Sequence, residues 1–163
     1  MPRTRGTSLL ELLVVIAIIA VLTGVAVLAV SAVGAPRQLE REAERWAALI
    51  ALACERAQWT GRDVGIHVAS ARLGFSAPRG DAWVLETSGD LRPRDLPAGF
   101  SARLRIDGLE REASRDLPEA PQAACFASGE LTVFEIELAV ADIAPRRIRG
   151  ELDGRVELAA LQP

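Results

Sequence analysis

A chain of 163 residues, half of them apolar, has material for one packed domain with an appendage. Its formal net charge of −3, with every positive charge supplied by arginine, gives no basis for non-specific attraction to nucleic acid. Two cysteines, Cys54 and Cys125, are too few for a disulfide scaffold but enough for one bridge in an oxidising compartment; sequence alone does not show that they meet.

The first predicted element is a membrane span. Residues 12–30 make a run of 19 without a charge, in which only Thr23 and Gly24 interrupt the aliphatics. At helical rise that run is about 28 Å long, close to the hydrocarbon thickness of a bilayer. Its 13 Leu, Ile and Val residues outweigh the roughly 3 kcal/mol cost of one acid, Glu11, at its mouth. Ahead of it, "MPRTRG" carries Arg3 and Arg5 and no acid, so the positive-inside bias holds residues 1–6 in the cytoplasm and sends the C-terminal bulk across. A cleaved secretory signal shares the basic start, and "AVSAVGA" offers small residues near Ser31 or Gly34. The apolar run is longer than the usual ~7–15 residues of such a signal, however, and an acid sits where it would have none. A plain anchor fits the length but leaves Glu11 unexplained, and an ionisable residue inside a membrane helix calls for a partner.

"RGTSLLELLVVIAIIAVL" resembles the processing signal of type IV pilins and type II secretion pseudopilins: a short basic leader ending in Gly6, then a hydrophobic helix whose fifth residue is glutamate. The resemblance implies that a prepilin peptidase removes residues 1–6 by cutting between Gly6 and Thr7 and methylates the new amino group. Residues 7–36 would then form a transmembrane and assembly helix, with Glu11 neutralising the terminal amine of a neighbouring subunit. A carboxylate and an ammonium about 4 Å apart attract strongly where water is scarce, whereas each alone is costly to hold there. Thr7 departs from the family, in which phenylalanine is usual at that place.

Beyond "SAVGAPRQ", where Gly34 and Pro36 could kink or interrupt a helix, an amphipathic helix is predicted over about 37–60. Leu39, Ala43, Trp46, Ile50, Ala53 and Ala57 recur at three- and four-residue steps, with Arg37, Glu40, Arg41, Glu44 and Arg45 on other faces and Cys54 near the stripe. The mixed signs favour packing on a domain over lying on a membrane surface, and the helix should end near Gly61. From Val64 the period falls to two: Val64, Ile66 and Val68, then Phe100, Ala102, Leu104 and Ile106, then Phe134, Ile136 and Leu138 alternate with small or polar residues, as in half-buried strands of a mostly antiparallel sheet. Asp153-Gly154 sits between residues 148–152 and 156–158 as a hairpin signal, and residues 128–130 turn the chain into the Phe134 strand. Residues 88–99 and 107–122, rich in proline, glycine and charge, read as loops.

A long N-terminal helix followed by strands matches the pilin-like α+β architecture. Within it, "ALACERAQWTGRDVGIHV", "CFASGELTVFEIEL" and "GELDGRVEL" resemble the H-type minor pseudopilins, the GspH class, which share their domain with FimT-like minor pilins. The resemblance implies a non-enzymatic structural subunit with residues 37–163 in the periplasm, anchored in the inner membrane and placed near the tip of a type II secretion pseudopilus. Its partners would be other minor pseudopilins, the major pseudopilin and the prepilin peptidase. The alternative is a FimT-like type IV pilus minor pilin acting in assembly or DNA uptake.

The residues offer little to catalysis. His67 is the single histidine and is read as decorating a sheet face rather than acting as a base, since no nucleophile motif accompanies it. No zinc spacing exists; Asp90, Asp95, Asp107 and Asp116 lack the calcium-loop pattern, and "VGAP" and "SGD" lack the spacing of phosphate loops, so no metal or cofactor is expected. Trp46 belongs to the helical stripe, whereas Trp59 and Trp83 belong to the core or to an interface. Arg146, Arg147, Arg149 and Arg155 form a local basic group. DNA-uptake members carry a Gly-Arg-x-Arg tail, but here Gly154-Arg155-Val156-Glu157 has an acid in the second basic place, and Glu151 and Asp153 oppose the arginines as well. A charge-paired hairpin is the expectation, and nucleic acid is not expected as a partner.

Overall fold

The computed structural model describes residues 9–112 and 114–159, without the side chains of residues 23–33. Gly6, Thr7 and the side chains of the predicted span beyond residue 22 therefore lie outside the described residues. Among the described residues no helix is long and apolar enough to cross a membrane. The helix α1, Leu9–Thr60, contributes to two compact units, residues 1–37 and 38–163, each of which is taken by itself. It continues through Pro36, so Gly34 and Pro36 do not end it; a proline inside a helix forfeits one backbone bond, and its φ still fits a helical turn.

In the first unit the aliphatic side chains described, those up to Leu22, face outward. Leu9, Leu10, Leu12, Leu13 and Ile16 are all exposed, and Glu11 lies exposed among them. In the second unit the helix turns its predicted stripe inward: Leu39, Ala43, Trp46, Ile50, Ala53 and Ala57 are fully buried. The stripe ends as expected, with Gly61 at φ 63° and the Arg62 N–H donating to the Ala57 carbonyl at 3.2 Å. That 6→1 bond closes the last turn, and the left-handed backbone at its corner is one that glycine adopts without a Cβ clash.

Among the described residues ten strands follow: β1 Val64–Ala69, β2 Arg72–Arg79, β3 Ala82–Leu85, β4 Arg94–Asp95, β5 Phe100–Ile106, β6 Leu109–Arg111, β7 Ala123–Cys125, β8 Phe134–Val140, β9 Ile143–Gly150 and β10 Val156–Ala159. They form two antiparallel sheets, the first ordered β3-β2-β1-β7 with β4 also on β2, the second β10-β9-β8-β5-β6. The core lies between the helical stripe and both sheets, including Ile66, Leu73 and Phe75 from the first and Leu104, Ile136 and Ile148 from the second. β4 and β6 fall inside stretches read as loops, β3 and β7 are too short to show a period, and β2 adds to the expected strands, with Leu73, Phe75 and Ala77 alternating with Arg72, Gly74, Ser76 and Pro78. The closing hairpin is longer on its first side than expected, with β9 starting at Ile143.

The first strand corrects the sequence reading in one respect: β1 is buried along its whole length, on both faces, where a half-buried strand was expected. One face, Val64, Ile66 and Val68, joins the core. The other, Gly65, His67 and Ala69, is covered by residues 117–122, which reach across the sheet. A Cβ at Gly65 would fall 2.7 Å from the Pro121 Cβ, and one at Gly74 would fall 2.5 Å from the Leu117 Cδ1. Both glycines are therefore there to let this strap approach the backbone.

Candidate functional site

Three groups of polar residues could carry function, and the structure treats each differently. His67 does not decorate an open sheet face; it is fully buried under the strap. Its Nδ1 lies 2.9 Å from the Pro118 carbonyl oxygen and its Nε2 2.7 Å from the Ser76 Oγ. A carbonyl can only accept, so Nδ1 bears the proton, and in the neutral ring Nε2 accepts from the Ser76 hydroxyl. Burial pushes the His67 pKa below its ordinary value, against a smaller upward effect of the Pro118 hydrogen bond. A histidine beside a serine is the start of a nucleophilic pair. Here, however, the orienting group is a backbone carbonyl, and both side chains are wholly inaccessible. The pair fastens the strap to the sheet.

Gln122 completes that fastening. Its Oε1 accepts from the Val68 N–H at 2.7 Å, its Nε2 donates to the Val68 carbonyl at 2.9 Å, and its own N–H donates to the Ile66 carbonyl at 3.0 Å. The side-chain amide thus stands in for a peptide unit of a neighbouring strand and satisfies backbone groups that burial would otherwise leave unpaired. No feature of the sequence singles out Gln122, because its partner lies 54 residues away.

The second group is the outer face of the second sheet. Glu135 meets Arg105, Arg147 and Arg149 at 3.8, 3.5 and 3.1 Å, and Glu137 meets Arg103 and Arg147 at 3.9 and 3.4 Å. The register puts Arg105, Glu135 and Arg149 in one cross-strand row and Arg103, Glu137 and Arg147 in the next. Arg146 pairs with Glu40 of α1, and Arg155 with Asp153 at 2.7 Å, whose carboxyl is held below its usual range first by the hydrogen bond from the Arg155 backbone. All four arginines of the basic group read in sequence are therefore paired with carboxylates. Phosphate would have to displace those partners before meeting them.

The third group is the N-terminal segment. Glu11 lies in the first described turn of α1, among exposed Leu and Val side chains, and no cation pairs with it among the described residues. An apolar surface of that extent on one helix calls for cover by lipid or by other helices. Elsewhere, Cys54 of α1 and Cys125 of β7 are joined by a disulfide with Cα atoms 4.9 Å apart. Among the described residues no group of three or more His, Cys, Asp or Glu could hold a metal ion. Trp46 is wholly buried, while Trp59, at 89 % exposure, stands in solvent.

None of the protein-family models matches the chain, and none of the curated proteins does. Solved structures do. Two structures of the minor pseudopilin EpsH from the type II secretion system of Vibrio cholerae superpose with TM-scores of 0.65 and 0.67 at 22 and 20 % identity, covering 76 and 78 % of this chain and 96 % of each EpsH chain. The solution structure of Escherichia coli GspH superposes with a TM-score of 0.60 at 24 % identity, covering 77 % of this chain and 89 % of that one. The chain thus has the fold of the H-type minor pseudopilins, a helix packed on antiparallel sheets.

Proposed function

We propose that the chain is an H-type minor pseudopilin, a structural subunit of a type II secretion pseudopilus with no catalytic activity. The observation that carries this reading is a conjunction: the domain superposes on nearly the whole of EpsH, and the sequence ahead of it sets Glu11 five residues after Gly6. On this reading a prepilin peptidase cuts between Gly6 and Thr7 and methylates Thr7. The aliphatic helix stores the subunit in the inner membrane with the domain in the periplasm. Assembly beside other minor pseudopilins and the major pseudopilin near the filament tip then buries the exposed leucines, and Glu11 meets a neighbour's terminal amine. The exchange of lipid for helix neighbours and of an unpaired acid for a paired one makes extraction feasible.

The paired state of Arg146, Arg147, Arg149 and Arg155 supports this over a FimT-like DNA-capturing pilin, which needs free positive charge. Mass spectrometry of the membrane form, from cells with an active prepilin peptidase, is expected to find N-methylated Thr7 at the N-terminus. An intact Met1, or an N-terminus near Ala32 or Ala35, would overturn the reading.

A further inference from the structure

The edges of the two sheets are not protected alike. In the second sheet the edge strands carry charge, Glu110 and Arg111 on β6 and Glu157 on β10. In the first sheet the β7 edge is closed by the next turn of chain: Cys125 bridges to Leu131, and the Thr132 N–H donates to the Ala124 carbonyl at 3.0 Å. β3 has neither device. Its four residues, Ala-Trp-Val-Leu, contain no charge and no proline, the two residues natural sheets use to blunt an edge.

Which of its backbone groups are open follows from the register. The Glu86 N–H donates to the Phe75 carbonyl at 2.8 Å, and Ala77 lies opposite Val84. Antiparallel pairs alternate, so Val84 shares the hydrogen-bonded phase and the N–H and C=O of Trp83 and Leu85 point away from β2. Opposite Trp83 is Pro78, which has no N–H to lose, and whose carbonyl accepts from the Arg62 guanidinium at 2.8 Å.

A second feature adjoins this edge. Val84 lies on the same face as Ala77 and is 38 % exposed. Two residues on, Glu86 pairs with Arg56 of α1 at 3.6 Å. Arg56 in turn lines an apolar groove of about 280 Å³ with Leu52, Glu55, Trp59, Asp90 and Leu91. Trp59, the most exposed aromatic of the domain, forms one wall. Arg56 is already engaged, whereas among the described residues Glu55 and Asp90 have no ion-pair partner within 4 Å, so the rim of the groove offers two carboxylates.

We propose that the β3 edge and this groove form one docking site for an extended segment of another protein chain, apolar at alternate positions and carrying a basic residue. The segment adds as a strand beside β3 and takes up the outward groups of Trp83 and Leu85. Its apolar side chains cover Val84 and Trp59, and its basic residue meets Glu55 and Asp90. Backbone pairing supplies affinity and the groove supplies selectivity. A second copy fits less well: two four-residue edges bury far less than the roughly 1,200 Å² of a stable interface, and each brings the same two carboxylates. The proposal stands apart from the filament reading, because it needs neither processing nor assembly.

The test uses the full chain in detergent micelles and the synthetic peptide acetyl-Thr-Val-Thr-Arg-Thr-Val-amide, whose Val and Arg side chains share one face of the strand, at up to about 5 mM, with amide hydrogen exchange as the readout. Exchange at Trp83 and Leu85 is expected to slow about tenfold, and a peptide with Glu in place of Arg, or the Trp59→Ala variant, is expected to bind about fivefold more weakly. Leu85→Pro removes an outward donor without touching the bonds between β2 and β3, and is expected to abolish protection at Trp83. Should that variant not fold, a peptide N-methylated at alternate positions, added to the unaltered chain, decides the same point, because it cannot pair. Absence of protection, or equal protection by the N-methylated peptide, overturns the proposal. Protection without peptide that rises with protein concentration assigns the edge to a second copy and overturns it also.

Discussion

β1 and the adjoining middle of β2 are covered on both sides, by the helical stripe and by residues 117–122, whereas the second sheet gives one side to the core and the other to water. The contrast shows in what alternates with the apolar residues. On β1 the intervening residues are Gly65, His67 and Ala69, small or hydrogen-bonded within the protein; on β5 they are Ser101, Arg103 and Arg105. A sealed face must satisfy each polar group locally and leave space for what lies over it. An open face can carry a ladder of charge whose members are each partly solvated and replaceable.

Substitutions that probe the two outer faces should therefore differ in size. The largest effect is expected from Gly65→Val, which places side-chain atoms where Pro121 and the Ser76 hydroxyl already are. A loss of about 3 kcal/mol or insoluble protein is expected, read as a lower urea midpoint at constant slope. A loss below about 0.5 kcal/mol would mean that the strap lifts freely and that the face is not sealed.

Next comes pH. His67 is held neutral in the fold by burial, so the unfolded chain binds a proton more readily than the native one. The contribution of this histidine is complete above its ordinary pKa of 6.5 and is lost as pH falls from there toward its depressed native value. The melting temperature is expected to fall by several degrees between about pH 7 and pH 5. In His67→Gln that slope should flatten, while the slope due to carboxylates stays in both proteins. Equal slopes would show that His67 meets water.

The smallest effect is expected from Glu135→Gln on the open face, although Glu135 meets three arginines. A change of less than about 1 kcal/mol, shrinking further in high salt, follows from partial exposure and the remaining carboxylates of the ladder. A larger, salt-independent loss would make this face as demanding as the sealed one.

How much of this could be read beforehand followed the range of the interactions. The stripe from Leu39 to Ala57, the strands around Ile66, Leu104 and Ile136, and the Asp153-Gly154 turn were legible because periodicity and turn chemistry are local. β2 was less so: Leu73, Phe75 and Ala77 keep the period, but the poor strand formers Gly74 and Pro78 stand between them, one making room for Leu117, the other sitting where no N–H is needed. The strap was invisible for the same reason that Gln122 was, its partners being some fifty residues distant. Of the candidate site, the processing signal proposed at Gly6, Thr7 and Glu11 rests on the spacing of nearby residues in the sequence. Gly6 and Thr7 lie outside the described residues, and Glu11 is seen without the neighbour it is proposed to meet.

The bond between Cys54 and Cys125 has a mechanical consequence. The two lie 71 residues apart along the chain, one near the end of α1 and the other on β7. Tension applied along the helix reaches the sheet through a covalent link before it can peel β1 to β6 from one another. A subunit hauled by its helix would carry load through that rivet, with the intervening polypeptide slack behind it.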